Sequence, residues 1–213
     1  MADPAFAPRA AFAGLIAASA ASTGSDAGAG VIAADRDGLG LATVALKKGQ
    51  RTALAQRVRE RYGIELPHGP YRTAAAGIAF AATGPEIWLA TKERGGNDFA
   101  KSLEKEIGPI AAVIDQSDGY AVLRLTGPKL RDTLAKLIPI DVHPRAFRPG
   151  DVASTVASHV GATLWRLDDD AGTPVFEIAV FRSLARSFWQ ALAESSAEFG
   201  LHVTPPRHGH GHG

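Results

Sequence analysis

The sequence predicts an α+β fold built from two ferredoxin-like halves, each a βαββαβ unit with its helices on one face of an antiparallel sheet. Three observations predict it. Strand-like and helix-like runs follow one another in the same order twice, the helical runs each carry an apolar face at i, i+4 spacing, and turn residues of the hairpin kind separate adjacent strand-like runs. The two halves share negligible sequence identity, so the repeat is one of pattern.

Residues 1–30 read as a flexible, Ala-rich arm, with one apolar knot at Phe12-Ala13-Gly14-Leu15-Ile16 that is suited to packing on a neighbour. The fold is expected to begin at Val31. Over the first half, 31–116, Leu39 to Leu46 reads as a strand, and Arg51 to Tyr62 as a helix with Leu54, Val58 and Tyr62 on one face and Gly63 as its stop. Ala74 to Ala82 and Glu86 to Thr91 read as two strands joined by Thr83-Gly84-Pro85. Asn97 or Asp98 then caps a helix carrying Phe99, Leu103 and Ile107, which Gly108-Pro109 ends before the strand Ile110 to Asp115.

The second half, 117–204, repeats the order. Tyr120 to Leu125 is a strand entered from Ser117-Asp118-Gly119, and Lys129 to Ile138 is a helix that buries Leu130, Leu134 and Leu137. Past a Pro-rich loop, Asp151 to Ser158, Ala162 to Leu167 and Val175 to Phe181 read as strands. A long helix with Leu184, Phe188 and Leu192 on one face follows, Gly200 stops it, and Leu201 to Val203 adds an edge strand. Residues 205–213 read as a disordered His/Gly tail.

Composition narrows the function. With 213 residues, 46% of them hydrophobic, the chain is long enough to bury a real core. Lys and Arg number 23 against 22 Asp and Glu, so no basic excess drives counterion release from a polynucleotide, and nucleic acid is not an expected partner. There is no cysteine, hence no disulfide and no thiolate nucleophile or metal ligand. The stretch Phe6 to Ser22 has one Arg before a short, weakly apolar run, a poor secretion signal and too short for a membrane span. The expected localisation is cytoplasmic, with no membrane partner.

The search for chemistry finds no catalytic or cofactor-binding constellation. His143 and His159 lack a paired base or nucleophile nearby in sequence and a metal-ligand spacing. Asp168-Asp169-Asp170 lacks the spaced ligands of a calcium loop and reads as a solvated turn. Gly38-Leu39-Gly40 precedes a strand where a dinucleotide fingerprint would follow one, and no G-x-S-x-G elbow surrounds Ser117. In the tail, His208, His210 and His212 alternate with glycine and are weak metal-ligand candidates without a second shell to orient them. Partner contact is the better prospect. The loop Pro139 to Asp151 is proline-stiffened and carries His143, Arg145, Phe147 and Arg148, and Phe188-Trp189 point about 100° apart on a helix, so Trp189 is a further contact candidate.

The run from Ala112 to Pro128 (Ala112-Val113-Ile114-Asp115-Gln116-Ser117-Asp118-Gly119-Tyr120, then Ala121 to Pro128), with Arg131-Asp132 and the Pro139 to Asp151 loop, resembles the gamma subunit of heterotetrameric sarcosine oxidase. So do Gly63-Ile64-Glu65-Leu66-Pro67, Thr83-Gly84-Pro85 with Trp88-Leu89, Leu164-Trp165-Arg166-Leu167, and Phe176 to Ser183 with Phe188-Trp189. The resemblance runs from Val31 to Gly200. More distantly, Leu125-Thr126-Gly127-Pro128 with Arg131-Asp132 and Leu134 is similar to the folate-binding T-proteins of glycine cleavage. That family keeps a Gly-Gly and an acidic pair, one of whose carboxylates serves the folate reaction, where this chain reads His159-Val160-Gly161.

The resemblance implies a T-protein-like fold that has lost its site: a chain non-catalytic by itself, without a cofactor, supporting alpha, beta and delta subunits. It implies that those subunits carry FAD, FMN, NAD, zinc and a tetrahydrofolate site. The implied flavoenzyme complex acts in sarcosine catabolism as an oxidoreductase on the CH–NH bond. It demethylates sarcosine to glycine, yielding hydrogen peroxide and formaldehyde or methylene-tetrahydrofolate. Three other readings stay open: a subunit of a related N-methyl amino acid oxidase or dehydrogenase, a free-standing folate-binding protein, and a metal-handling protein using the His tail.

Overall fold

The computed structural model describes residues 11–12, 14–16 and 28–204. Among the described residues eleven strands form two sheets. The five-stranded sheet has the order β3-β4-β5-β2-β6, from β2 (Gly40–Leu46), β3 (Arg72–Ala75), β4 (Ile78–Gly84), β5 (Ile87–Lys92) and β6 (Ala111–Asp115). The six-stranded sheet has the order β11-β1-β7-β10-β9-β8. It is made of β1 (Val31–Asp35), β7 (Tyr120–Thr126), β8 (Val152–Ala157), β9 (Val160–Arg166), β10 (Val175–Phe181) and β11 (Leu201–Thr204). Every pairing is antiparallel except β1 with β11.

Helices cover the outer face of each sheet, and the inner faces meet. Against the five-stranded sheet, α1 (Arg51–Tyr62) and α2 (Asp98–Ile107) bury Leu54, Val58, Phe99, Leu103 and Ile107. Against the six-stranded sheet, α3 (Leu130–Leu137) and α4 (Ala185–Ser196) bury Leu130, Leu134, Leu137, Phe188 and Leu192. A third apolar layer lies between the sheets, with Leu39, Leu41, Ala81 and Leu89 on one side and Val122, Val152, Trp165 and Ala179 on the other. The result is a four-layer α/β/β/α sandwich. Period-2 alternation explains the division: along β10, Phe176, Ile178 and Val180 face the helices while Glu177 and Ala179 face the other sheet.

Four features differ from the sequence reading. First, β1 does not open the five-stranded half. It is inserted in the six-stranded sheet between β11 and β7, pairing Val31 with Leu201 and Ala33 with Leu125. Second, Ala74 to Ala82 is two strands and a tight turn, because Ala76 and Gly77 both take positive φ (49° and 78°). A two-residue hairpin needs that geometry, but an alanine in the first position hides the signal. Third, Leu184 belongs to a short 3-10 turn, Arg182–Leu184, and is exposed; Ala185 takes its place on the buried face of α4.

Fourth, the apolar knot of the arm packs on its own chain. Phe12 and Ile16 are buried in the helix-side core of the six-stranded sheet, Phe12 with its ring centroid 6.5 Å from Phe188 and 6.2 Å from Trp189. Residues 1–10, 13 and 17–27 of the arm and the tail from Pro205, with His208, His210 and His212, lie outside the described residues.

The segment Leu125-Thr126-Gly127-Pro128 has a backbone reason for its glycine. Gly127 sits at φ 124°, and a Cβ there would stand 2.3 Å from the Gly30 carbonyl oxygen, which accepts the Lys129 N–H at 2.9 Å. The close approach ties the entry of β1 to the start of α3.

Candidate functional site

Among the described residues, polar side chains gather at the 139–151 loop, at a small cleft beside Asp35, and in an ionic cluster between the sheets.

The loop is anchored from below. Arg166, buried at 4% exposure, donates from Nη1 to the Phe147 carbonyl at 2.7 Å and from Nη2 to Asp169 at 2.7 Å, and Arg131 Nε donates to the Val142 carbonyl at 3.1 Å. The Asp141 and Asp151 carboxylates accept the His143 and Arg148 backbone N–H groups at 2.8 and 2.6 Å. Phe147 stacks on Phe176 with centroids 6.0 Å apart and is buried. It is therefore an internal anchor of the loop, contrary to its expected role as an exposed partner contact. The same correction applies to Trp189, which is 4% exposed beneath Phe12. In both cases an aromatic that the pattern left unplaced is used by this chain's own core. His143, Arg145 and Arg148 are exposed on the loop. His159 is exposed in the β8–β9 turn, beside Ser158 at φ 57°, whose Oγ lies 3.1 Å from its Nδ1.

The cleft is lined by Asp35, Asp37, Leu41, Ser117, Tyr120 and Arg182, among others, and its free volume of about 40 Å³ suits a water or two. A pterin or an isoalloxazine needs several hundred Å³. Burial, with the like charge of Asp37, pushes the Asp35 carboxyl up from 3.8 to about 6, against the lowering effect of a hydrogen bond from the Phe12 backbone and the charge of Arg182. Asp35 thus connects the knot of the arm to the end of β1.

The ionic cluster has no forerunner in the sequence analysis. Its centre is Glu177 on β10, with 4% of its side chain exposed. Register places it directly between Arg124 on β7 and Trp165 on β9. Arg124 donates to Glu177 Oε1 through Nε at 3.0 Å and Nη2 at 2.8 Å, Arg36 Nε lies 2.7 Å from the same oxygen, and Trp165 Nε1 donates to Oε2 at 2.8 Å. Arg36 also pairs with Glu93, which lies 4.0 Å from Arg124. Arg72, on the edge strand β3, completes the group electrostatically: Glu177, Glu93, Arg124 and Arg36 all act on its charge. Such a cluster fixes the two sheets relative to each other, since a desolvated carboxylate is tolerated only where all its lone pairs are met. The signal that marks it in the sequence is a Glu at an inward position of the otherwise apolar Val175 to Phe181, paralleled by an Arg in Tyr120 to Thr126.

Among the described residues no group of three or more His, Asp or Glu side chains is placed to hold a metal ion, and no helix is long and apolar enough to cross a membrane.

Comparison with known proteins agrees with this architecture. The sarcosine oxidase subunit gamma of an Arthrobacter species is 32% identical over 111 residues, 51% of this chain and 55% of that protein. The chain thus spans a little over half the length of the curated relatives it matches. Among solved structures, a chain of the heterotetrameric sarcosine oxidase from Corynebacterium sp. U-96, in complex with pyrrole 2-carboxylate, superposes with a TM-score of 0.76 at 24% identity, covering 90% of this chain and 96% of that one. The glycine cleavage system aminomethyltransferase T from Bartonella henselae superposes with a TM-score of 0.60 at 17% identity, over 83% of this chain and 48% of that one. Both likenesses place the fold, an α+β fold with antiparallel sheets shared with the T-protein. The model of the family described as sarcosine oxidase, gamma subunit, matches residues 48–198, well over half of the 213 residues. The chain belongs to the sarcosine oxidase gamma subunit family.

Proposed function

We propose that this chain is the structural gamma subunit of a heterotetrameric sarcosine oxidase and that it supports the oxidative demethylation of sarcosine without taking part in the chemistry. The observation that carries this reading, together with family membership, is the use of Glu177: the deeply buried carboxylate is engaged by Arg124, Arg36 and Trp165 inside the chain and serves the packing of one sheet on the other. The acidic pair that serves folate chemistry in T-proteins is replaced by His159-Val160-Gly161, which also supports a supporting role. On this reading the alpha, beta and delta subunits are the partners and carry FAD, FMN, NAD, zinc and the tetrahydrofolate site, and the complex is cytoplasmic. His143, Arg145 and Arg148, exposed on a loop held from below, are the proposed partner contacts.

The test is a native pull-down of the chain from its host, with mass spectrometry of the partners and an absorption spectrum of the eluate. Co-purification of larger subunits with a flavin band at about 450 nm, and peroxide production on addition of sarcosine, is the expected result. A related N-methyl amino acid as the better substrate would transfer the reading to a sister enzyme. A colourless monomer that binds folate would replace it with the folate-binding reading.

A further inference from the structure

We propose that the seam between the two sheets, at Arg72, Arg36 and Arg124, is a binding site for one carboxylate group supplied from outside the chain. The argument begins with charge. Arg72 is the register partner of Ala81, which lies in the layer between the sheets, so it stands on the face where Arg36, Arg124, Glu93 and Glu177 interact; three guanidinium groups and two carboxylates act on one another there, which leaves one unbalanced positive charge. Glu177 accepts hydrogen bonds from Arg124 and Trp165 and is ion-paired with Arg36, and Glu93 is paired with Arg36. Arg72 is the remaining cation. Among the described residues no carboxylate lies within 4.0 Å of its guanidinium, which sets it apart from Arg36 and Arg124, and its Nε, like that of Arg36, is buried with no hydrogen-bond partner. Burial is the main influence on its charge, and lowers its pKa. A donor shielded from water and left unmet is destabilising unless an acceptor completes it.

Geometry adds access. Arg72 stands at the start of β3, where its backbone N–H bonds the Gly150 carbonyl across the seam at 2.7 Å, so the group lies where the edge of one sheet meets the other. Arg124 and Glu93 have 37% and 49% of their side chains exposed, which leaves the cluster open to solvent on that side. The planar guanidinium fork matches a carboxylate. A dianionic phosphate fits less well, because a single excess positive charge faces two fixed carboxylates. The carboxylate has two possible sources, a small free acid or an acidic side chain of a partner chain, and this inference does not depend on which subunits the chain assembles with.

The test is a titration of the full chain with sodium formate against sodium chloride at constant ionic strength, read at the arginine Nε–H resonances by NMR. Saturable movement of the Arg72 resonance with formate and none with chloride, abolished in Arg72→Met, assigns the site to a free carboxylate. If the lone chain is silent, movement of the same resonance on assembly with its partners, with slowed hydrogen exchange, assigns it to a partner's carboxylate. Glu93→Gln supplies an independent check that needs no loss of structure: raising the net charge of the cluster should tighten formate binding, or partner binding in the second case, by roughly five-fold. An Arg72 resonance that stays unmoved in both settings, an equal response to chloride, or no tightening in Glu93→Gln overturns the proposal.

Discussion

Trp165 and Glu177 face each other across neighbouring strands, and the indole N–H donates to the carboxylate at 2.8 Å inside the layer where the two sheets meet. The same carboxylate receives Arg124 and Arg36. Removing it leaves the buried Trp165 N–H without its acceptor and two guanidinium groups without their carboxylate. Glu177→Ala is therefore expected to destabilise the chain by about 3 kcal/mol, the scale for breaking a buried pair from one side. Glu177→Gln, which keeps one acceptor for Trp165, should cost less. Denaturant unfolding measures both, and an alanine variant as stable as the parent would show that the cluster contributes nothing to the packing of the sheets.

Phe12 lies between Phe188 and Trp189 although the strand that begins the sheet starts only at Val31. Phe12→Ala should cost about 3 kcal/mol if the knot is as well packed as an ordinary core position. The Trp189 indole should become wetter, seen as a red shift of tryptophan emission. Unchanged emission and stability would mean that the knot is not docked in solution.

Asp35 gives a pH dependence whose sign is opposite to that of a salt-bridged carboxylate. Its folded value, about 6, lies above the usual 3.8, so between those values the folded chain binds more protons than the unfolded one. Stability from this group is fully present below the lower value and is lost as pH rises through about 6. Wild type should thus lose stability relative to Asp35→Asn between pH 4 and 7. Melting temperatures of the two proteins across that range give the answer, and a constant difference between them would refute the assignment.

The loop offers a contrast between residues three positions or fewer apart. Phe147→Ala removes the stack on Phe176 and should destabilise the fold by about 3 kcal/mol. Arg145→Ala and Arg148→Ala alter exposed side chains and should leave stability within about 0.5 kcal/mol. If the loop meets a partner, those two changes weaken assembly, which analytical ultracentrifugation of the complex would register.

Elements with strong periodicity were legible from sequence. The bounds of α1 coincide with the Arg51 to Tyr62 reading because Gly63, at φ 67°, closes the helix with a left-handed residue, and the Val175 to Phe181 strand is equally clear. What was not legible depends on long-range pairing. The insertion of β1 between β11 and β7 is a choice of partners, which no local pattern encodes. Phe147 and Trp189 look the same in a sequence whether they fill their own core or a neighbour's. The ionic cluster escaped for a related reason: Arg36, Arg72, Glu93, Arg124 and Glu177 are scattered over both halves and meet only when one sheet lies on the other.

The position of β1 also orders the folding reaction in time. All five strands of the smaller sheet and both of its helices lie within residues 40–115, so that unit closes through contacts within one continuous stretch. The larger sheet needs 31–35 to meet both 120–126 and 201–204, and loop-closure entropy makes such distant pairings slow. Until β11 arrives, β1 presents an unpaired edge on the nascent molecule, a surface prone to strand addition by another chain. Pulse-labelled hydrogen exchange should accordingly find the amides of 40–115 protected in an earlier phase than those of Val31 to Ala34, and a chaperone that shields β1 in the interval would raise the yield of native protein.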